Sequence, residues 1–130
     1  MARNAIAAFS MAHRGKISCG DVIRCVFDLD REEWRIYRFV LKNGPLRVER
    51  VAKFIGKDRS TAYRELQKLI RCGICYRESS NIREGGYYFL YYSMPLEELK
   101  REAEDCVDRT YRLLKDAIKR GFDESNIEAE

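Results

Sequence analysis

Apolar residues recur at helical spacing along most of the chain and alternate at strand spacing along one short tract, and the two periods divide it into elements. Ser18 with Asp21 three residues on is a capping-box spacing, and Val22, Ile23, Val26 and Phe27 give a helix from about 18 to 28 its apolar side. Asp30 is placed to cap a second helix. Glu32 and Glu33 lie in its first turn, where the positive helix end favours them, and it stops at Asn43-Gly44-Pro45. Trp34, Ile36, Tyr37, Val40 and Leu41 mark its buried side. Segment 46–55 repeats the pattern with Val48, Val51, Ala52 and Ile55, and Gly56 is suited to a left-handed closing residue.

From about 58 to 72, Ala62, Leu66, Leu69 and Ile70 share one side of a further helix, with Gly73 available as its C-terminal cap. The period then changes. Ile74 to Glu78 and Tyr87 to Tyr92 are rich in aromatic and β-branched residues and read as two strands, joined through Ser79, Ser80, Asn81, Arg83 and the Gly85-Gly86 pair. Both faces of the second strand are apolar, so one face is expected on the core and the other against a partner surface. After Ser93 and Pro95 the helical period returns and runs to Arg120.

Short helices, a tight turn, another helix and a hairpin in this order predict a mainly α fold with a small β-hairpin wing (α+β), a winged helix-turn-helix. The expected division is an N-terminal helical arm over 1–28, the winged helix-turn-helix over 29–93, a dimerisation helix over 94–121 and an acidic, flexible tail over 122–130.

Net charge changes the picture only when it is located. The total is +4, but from 47 to 83 ten bases face four acids, an excess of six, while Asp123, Glu124, Glu128 and Glu130 form an acidic end. A local basic field is the electrostatic footprint of a polyanion. The side of the 58–72 helix opposite its apolar stripe carries Ser60, Thr61, Arg64, Gln67, Lys68 and Arg71, with Arg59 at its start. Short hydroxyls and long bases are the residue types that contact phosphates and purine edges. Arg77 and Arg83 are expected near the wing tip, against DNA or simply keeping an edge strand soluble. Double-stranded DNA is thus the expected partner, with Arg64 the first choice for base contact and Lys68 for phosphate. The other readings are a winged helix serving as a protein adaptor in the transcription machinery, which the basic segment disfavours, and a thiol- or metal-sensing regulator that also binds DNA.

In the last helix Leu96, Leu99, Ala103, Cys106, Thr110, Leu113 and Ala117 alternate at three and four, a coiled-coil seam of three heptads. Val107, Tyr111, Leu114 and Ile118 widen that face, and burial against a second copy is preferred to burial on its own domain.

Five cysteines, an odd number at irregular spacing, do not form the disulfide frame of a small secreted domain. Cys72 and Cys75 form one CxxC, and Cys19 and Cys25 a looser pair. Four-thiolate zinc, a redox pair and plain burial all remain open, burial being favoured, so no metal and no cofactor is expected. His13 is the only histidine, and no nucleophile elbow or phosphate loop occurs. Glu97, Glu98, Glu102, Glu104 and Asp105 are balanced by seven bases over 95–120, so no enzyme activity is expected. Neither a membrane-spanning run nor a signal peptide is visible, which predicts a cytoplasmic protein.

The run LDREEWRIYRFVLKNGPLRVERVAKFIGKDRSTAYRELQKLIRCGI and the strand GGYYFLYY resemble archaeal winged-helix transcriptional regulators of the TrmB-like and MarR-like kind, over about half of the chain. The resemblance implies a dimeric DNA-binding repressor or activator with its recognition helix starting near Arg59. Large TrmB-like members carry a sugar-binding domain after the helix-turn-helix, and this chain ends too soon for one, so no sugar is assigned. Operator, effector and sign of regulation stay open.

Overall fold

The computed structural model describes residue 15 and residues 17–122; the expected N-terminal arm before Gly15, with His13, and the acidic end lie outside the described residues. Among the described residues, five helices and one hairpin follow in the order α1 (Cys19–Val26), α2 (Arg31–Asn43), α3 (Val48–Ile55), α4 (Arg59–Arg71), β1 (Cys75–Asn81), β2 (Tyr87–Ser93) and α5 (Leu96–Gly121). Side-chain caps set the starts of three of them. Ser18 and Asp21 form the capping box of α1, the Asp30 carboxylate accepts the Glu33 N–H at the head of α2, and Asp58 accepts the Thr61 N–H at the head of α4. Gly56, at φ 68°, closes α3 in the left-handed region that a β-carbon disfavours.

The core is built where the apolar stripes of these helices meet. Ile23, Ile36, Val40, Val51, Leu66, Leu69 and Leu99 are all at most 2 % exposed. Tyr37 lies among them with its hydroxyl donating to the Met94 carbonyl at 2.7 Å, and the Ser93 hydroxyl returns a bond to the Tyr37 carbonyl at 2.9 Å. These two bonds pin the base of the hairpin onto α2, and burial pushes the Tyr37 phenol up to about 12.

Two boundaries differ from the sequence reading, for long-range reasons. Leu46 does not begin α3. It exchanges two backbone hydrogen bonds with Tyr91, at 3.1 and 2.7 Å, on the edge of β2 that β1 leaves free. β1 runs past Glu78 to Asn81, which pairs with Tyr87, so the hairpin tip is 82–86 and Arg77 sits well inside the ladder opposite Tyr91 rather than near the tip. Arg83 does lie in the tip.

One face of the hairpin, through Cys75, Tyr91 and Ser93, covers the core. The other carries Tyr76 and Tyr92, stacked with ring centroids 5.0 Å apart, beside the half-buried Leu90.

The last helix meets two environments. Leu99 and Ala103 are 0 % and 6 % exposed within the chain's own core, where α5 packs against α1. These two positions of the expected dimer seam are therefore already occupied by the domain itself, because their side of the helix lands on Ile23 and its neighbours. Cys106 is half-buried, whereas every residue from Val107 to Phe122 is exposed. No described helix is long and apolar enough to cross a membrane.

Candidate nucleic-acid interface

α3, the turn at Gly56 and α4 form the helix-turn-helix. The Lys57 N–H bonds the Ala52 carbonyl at 3.1 Å across the turn, and Ala62, Leu66 and Leu69 seat α4 on the core. This leaves Ser60, Arg64 and Arg71 exposed on the outer side, with Gln67 half-buried between them. The Gln67 Nε2 is buried without a hydrogen-bond partner among the described residues, so this amide has donors to spare.

Thr61 is used within the chain. Its N–H donates to the Asp58 carboxylate, which the neighbouring Thr61 hydroxyl and this bond hold below the usual carboxylate range, and its Oγ1 accepts from the Arg64 guanidinium at 3.3 Å. The helix cap thereby steers Arg64 along the outer face. Arg59 pairs with Glu49 at 3.2 Å and ties the head of α4 to that of α3. Both side chains are exposed, so this pair contributes little to stability.

Lys68 lies on the inner shoulder of α4. Its Nζ is 3.5 Å from Glu65 and 3.9 Å from Glu33. Glu33 is only 7 % exposed, and its carboxyl is pushed up to about 7, chiefly by burial and next by the Asp30 charge and hydrogen bond, against the opposing pull of Lys68. Asp30, Glu33 and Glu65 bring carboxylate oxygens within 4.8 Å of one another. Sequence reasoning put Glu33 in the first turn of α2, where it does lie, but did not count it on the buried side. Its spacing of three from Ile36 and seven from Val40 is the signal that it sits on the buried stripe.

On the wing side, Arg77 lies 4.0 Å over the Phe89 ring, and the neighbouring Tyr91 and Tyr63 hydroxyls hold its guanidinium above its already high range. Arg47, just before α3, lies 4.3 Å over Tyr88. Arg47, Arg59, Tyr63, Arg77 and Tyr87 line a cleft of about 470 Å³ between α3, the head of α4 and the hairpin. Arg47 and Tyr63 were not among the sequence candidates. Tyr63 interrupts a polar run on the helix flank, which is the one local hint of it.

Cys19, Cys25, Cys72 and Cys75 do not assemble into a ligand cluster among the described residues. All five thiols are free. Cys75 is buried, which drives its thiol up to about 11, and burial likewise raises Cys25 and Cys72, so none of these three is an activated thiolate.

A chain of 39 % identity over 80 residues is the uncharacterized protein MJ1503 of Methanocaldococcus jannaschii; the match takes in 62 % of this chain and 61 % of that protein's length. Uncharacterized protein MJ1082 of the same organism is 29 % identical over 77 % of this chain and 82 % of its own. Among solved structures, a possible transcriptional regulator from Methanosarcina mazei superposes with a TM-score of 0.68 at 23 % identity, over 79 % of this chain and 88 % of that one, a likeness of fold. The family model for the sugar-specific transcriptional regulator TrmB matches residues 23–97. That match takes in more than half of the sequence and every element of the helix-turn-helix and wing, and the chain belongs to the TrmB family of transcriptional regulators.

Proposed function

We propose that this winged-helix regulator binds duplex DNA as a homodimer, with α4 entering the major groove. The observation that carries the reading is the outer face of α4. Ser60, Arg64 and Arg71 stand clear of the core with Gln67 half-buried between them, and Arg64 is oriented through Thr61 and the Asp58 cap. Arg83 in the wing tip is free to reach an adjacent phosphate. Lys68 serves chiefly as the counter-charge of Glu33 and Glu65.

The test is fluorescence anisotropy with duplex DNA over a salt series, followed by selection of an operator. Affinity should fall steeply with salt. On the selected operator Arg64→Ala should lose about 1–3 kcal/mol and blur the preference at one position. Equal operator affinity for wild type and Arg64→Ala would remove α4 from the assignment.

The dimer reading rests on the free half of α5. Val107, Tyr111, Leu114 and Ile118 form one stripe and are 44 to 58 % exposed, which is unusual for an isolated surface helix. Covering the exposed half of these side chains on two protomers would contribute on the order of 10 kcal/mol. This lies within the roughly 4–15 kcal/mol that association costs, so the dimer should depend on protein concentration. Sedimentation should find wild type dimeric at tens of micromolar, and Leu114→Lys combined with Ile118→Lys monomeric with unchanged circular dichroism. A monomeric wild type would end the dimer reading.

A further inference from the structure

The cleft between α4 and the wing has features that neither the major-groove face nor the dimer stripe requires. Three arginines converge on it, Arg47 from the segment before α3, Arg59 from α4 and Arg77 from β1, against the single carboxylate of Glu49. That carboxylate is taken by Arg59 at 3.2 Å. Arg47 and Arg77 make no ion pair among the described residues. Each instead has a flat face covered by an aromatic ring, Tyr88 at 4.3 Å and Phe89 at 4.0 Å. A guanidinium held against a ring in this way has its position restrained before any ligand arrives. The Tyr91 and Tyr63 hydroxyls beside Arg77 further favour its charged form.

Two guanidinium groups without an ion-pair partner among the described residues, beside a Glu49 carboxylate that Arg59 already engages, fit a tetrahedral oxyanion better than a carboxylate peptide or a neutral ligand, because the fork geometry matches phosphate oxygens two at a time. The cleft also adjoins the head of α4, since Arg59 and Tyr63 stand on its wall. We infer that the cleft is a phosphate clamp, in which Arg47 and Arg77 grip one phosphodiester of the DNA backbone where the duplex passes from α4 to the wing. This inference rests on the DNA-binding reading for its source of phosphate but not for its chemistry. A phosphate held there fixes the register of the duplex relative to α4 without reading sequence.

The experiment uses the full chain, with Arg47→Gln and Arg77→Gln, in anisotropy titrations on random duplex and on the selected operator. Both positions are exposed, and circular dichroism should confirm an unaltered fold. Each variant should bind both DNAs roughly tenfold more weakly, and should lower the slope of log affinity against log salt by about one. Arg64→Ala, by contrast, should act mainly on the operator. Unchanged slopes in both variants, with wild type binding DNA normally, would overturn the clamp and leave the DNA-binding reading intact. Adenosine monophosphate and inorganic phosphate, titrated in parallel by calorimetry, separate the other cases. If wild type ignores DNA but binds either of them in an Arg47- and Arg77-dependent way, the phosphate site stands with a free ligand as its source. If it binds neither DNA nor these anions, the site is refuted together with the proposed function.

Discussion

Arg64 and Lys68 stand one turn apart on α4 and look interchangeable in the sequence, two bases on a polar helix side. Arg64 points along the outer face and leans on Thr61, with no carboxylate at ion-pair distance among the described residues. Lys68 turns to the inner shoulder, where Glu65 and Glu33 lie at 3.5 and 3.9 Å. A rotation of 40° between positions four apart suffices to move a side chain from solvent to the rim of the core. A cation is available to a polyanion only where the protein has not already paired it, so helix-face periodicity overcounts the groups free to contact DNA. Under the proposed function the free outer face reads the ligand, and the shoulder balances a buried charge.

The largest effect that separates the two sides is expected at Glu33. Its folded carboxyl titrates at about 7 instead of the ordinary 4.5, because burial and Asp30 disfavour the charged form. A raised carboxyl value means that the folded state binds the proton more tightly than the unfolded chain. The group therefore costs nothing below about pH 4.5, and the cost grows through the interval to about pH 7 and is complete above it. The shift corresponds to about 3 kcal/mol. Glu33→Gln, whose amide can donate to Asp30 or Glu65, is expected to be more stable than wild type by up to about 3 kcal/mol at pH 8, with the gain vanishing towards pH 4.5. Urea denaturation at both values checks it. An equal difference at the two pH values would mean that Glu33 is not the titrating group.

Local chemistry made most of the fold legible in the sequence. Ser18 and Asp30 cap the helices they precede, and Gly56 takes the left-handed conformation the turn requires. What stayed hidden depends on partners far along the chain. Leu46 leaves the helical pattern because Tyr91 offers it two backbone bonds. The seam of α5 divides because Leu99 and Ala103 meet the domain core while Leu113 and Leu114 meet solvent. A heptad states that a face will be buried and is silent on what buries it. At the candidate site Arg64 and Arg71 were legible from the helix period alone, whereas Arg47 and Tyr63 join the cleft only when the hairpin folds beside α3 and α4. Position on an apolar stripe, the one clue to Glu33, was outweighed by the general favour shown to acids in a first turn.

The finest test of the contrast is Lys68→Met set against Arg64→Ala. If Lys68 balances Glu33 and Glu65, losing its ammonium should lower stability at pH 8, where the carboxylates are charged, and have less effect near pH 5, where the Glu33 proton replaces it. Lys68 is 46 % exposed, and its attraction to the acids is screened accordingly, so the loss should stay below about 1 kcal/mol. DNA binding should respond differently from Arg64→Ala. Without a direct phosphate contact the salt slope should be that of wild type, and operator preference should be retained. A drop of about one in the slope would instead assign Lys68 to a phosphate. Its pairing with Glu33 and Glu65 would then be a resting arrangement that DNA replaces, and the inner shoulder would belong to the interface after all.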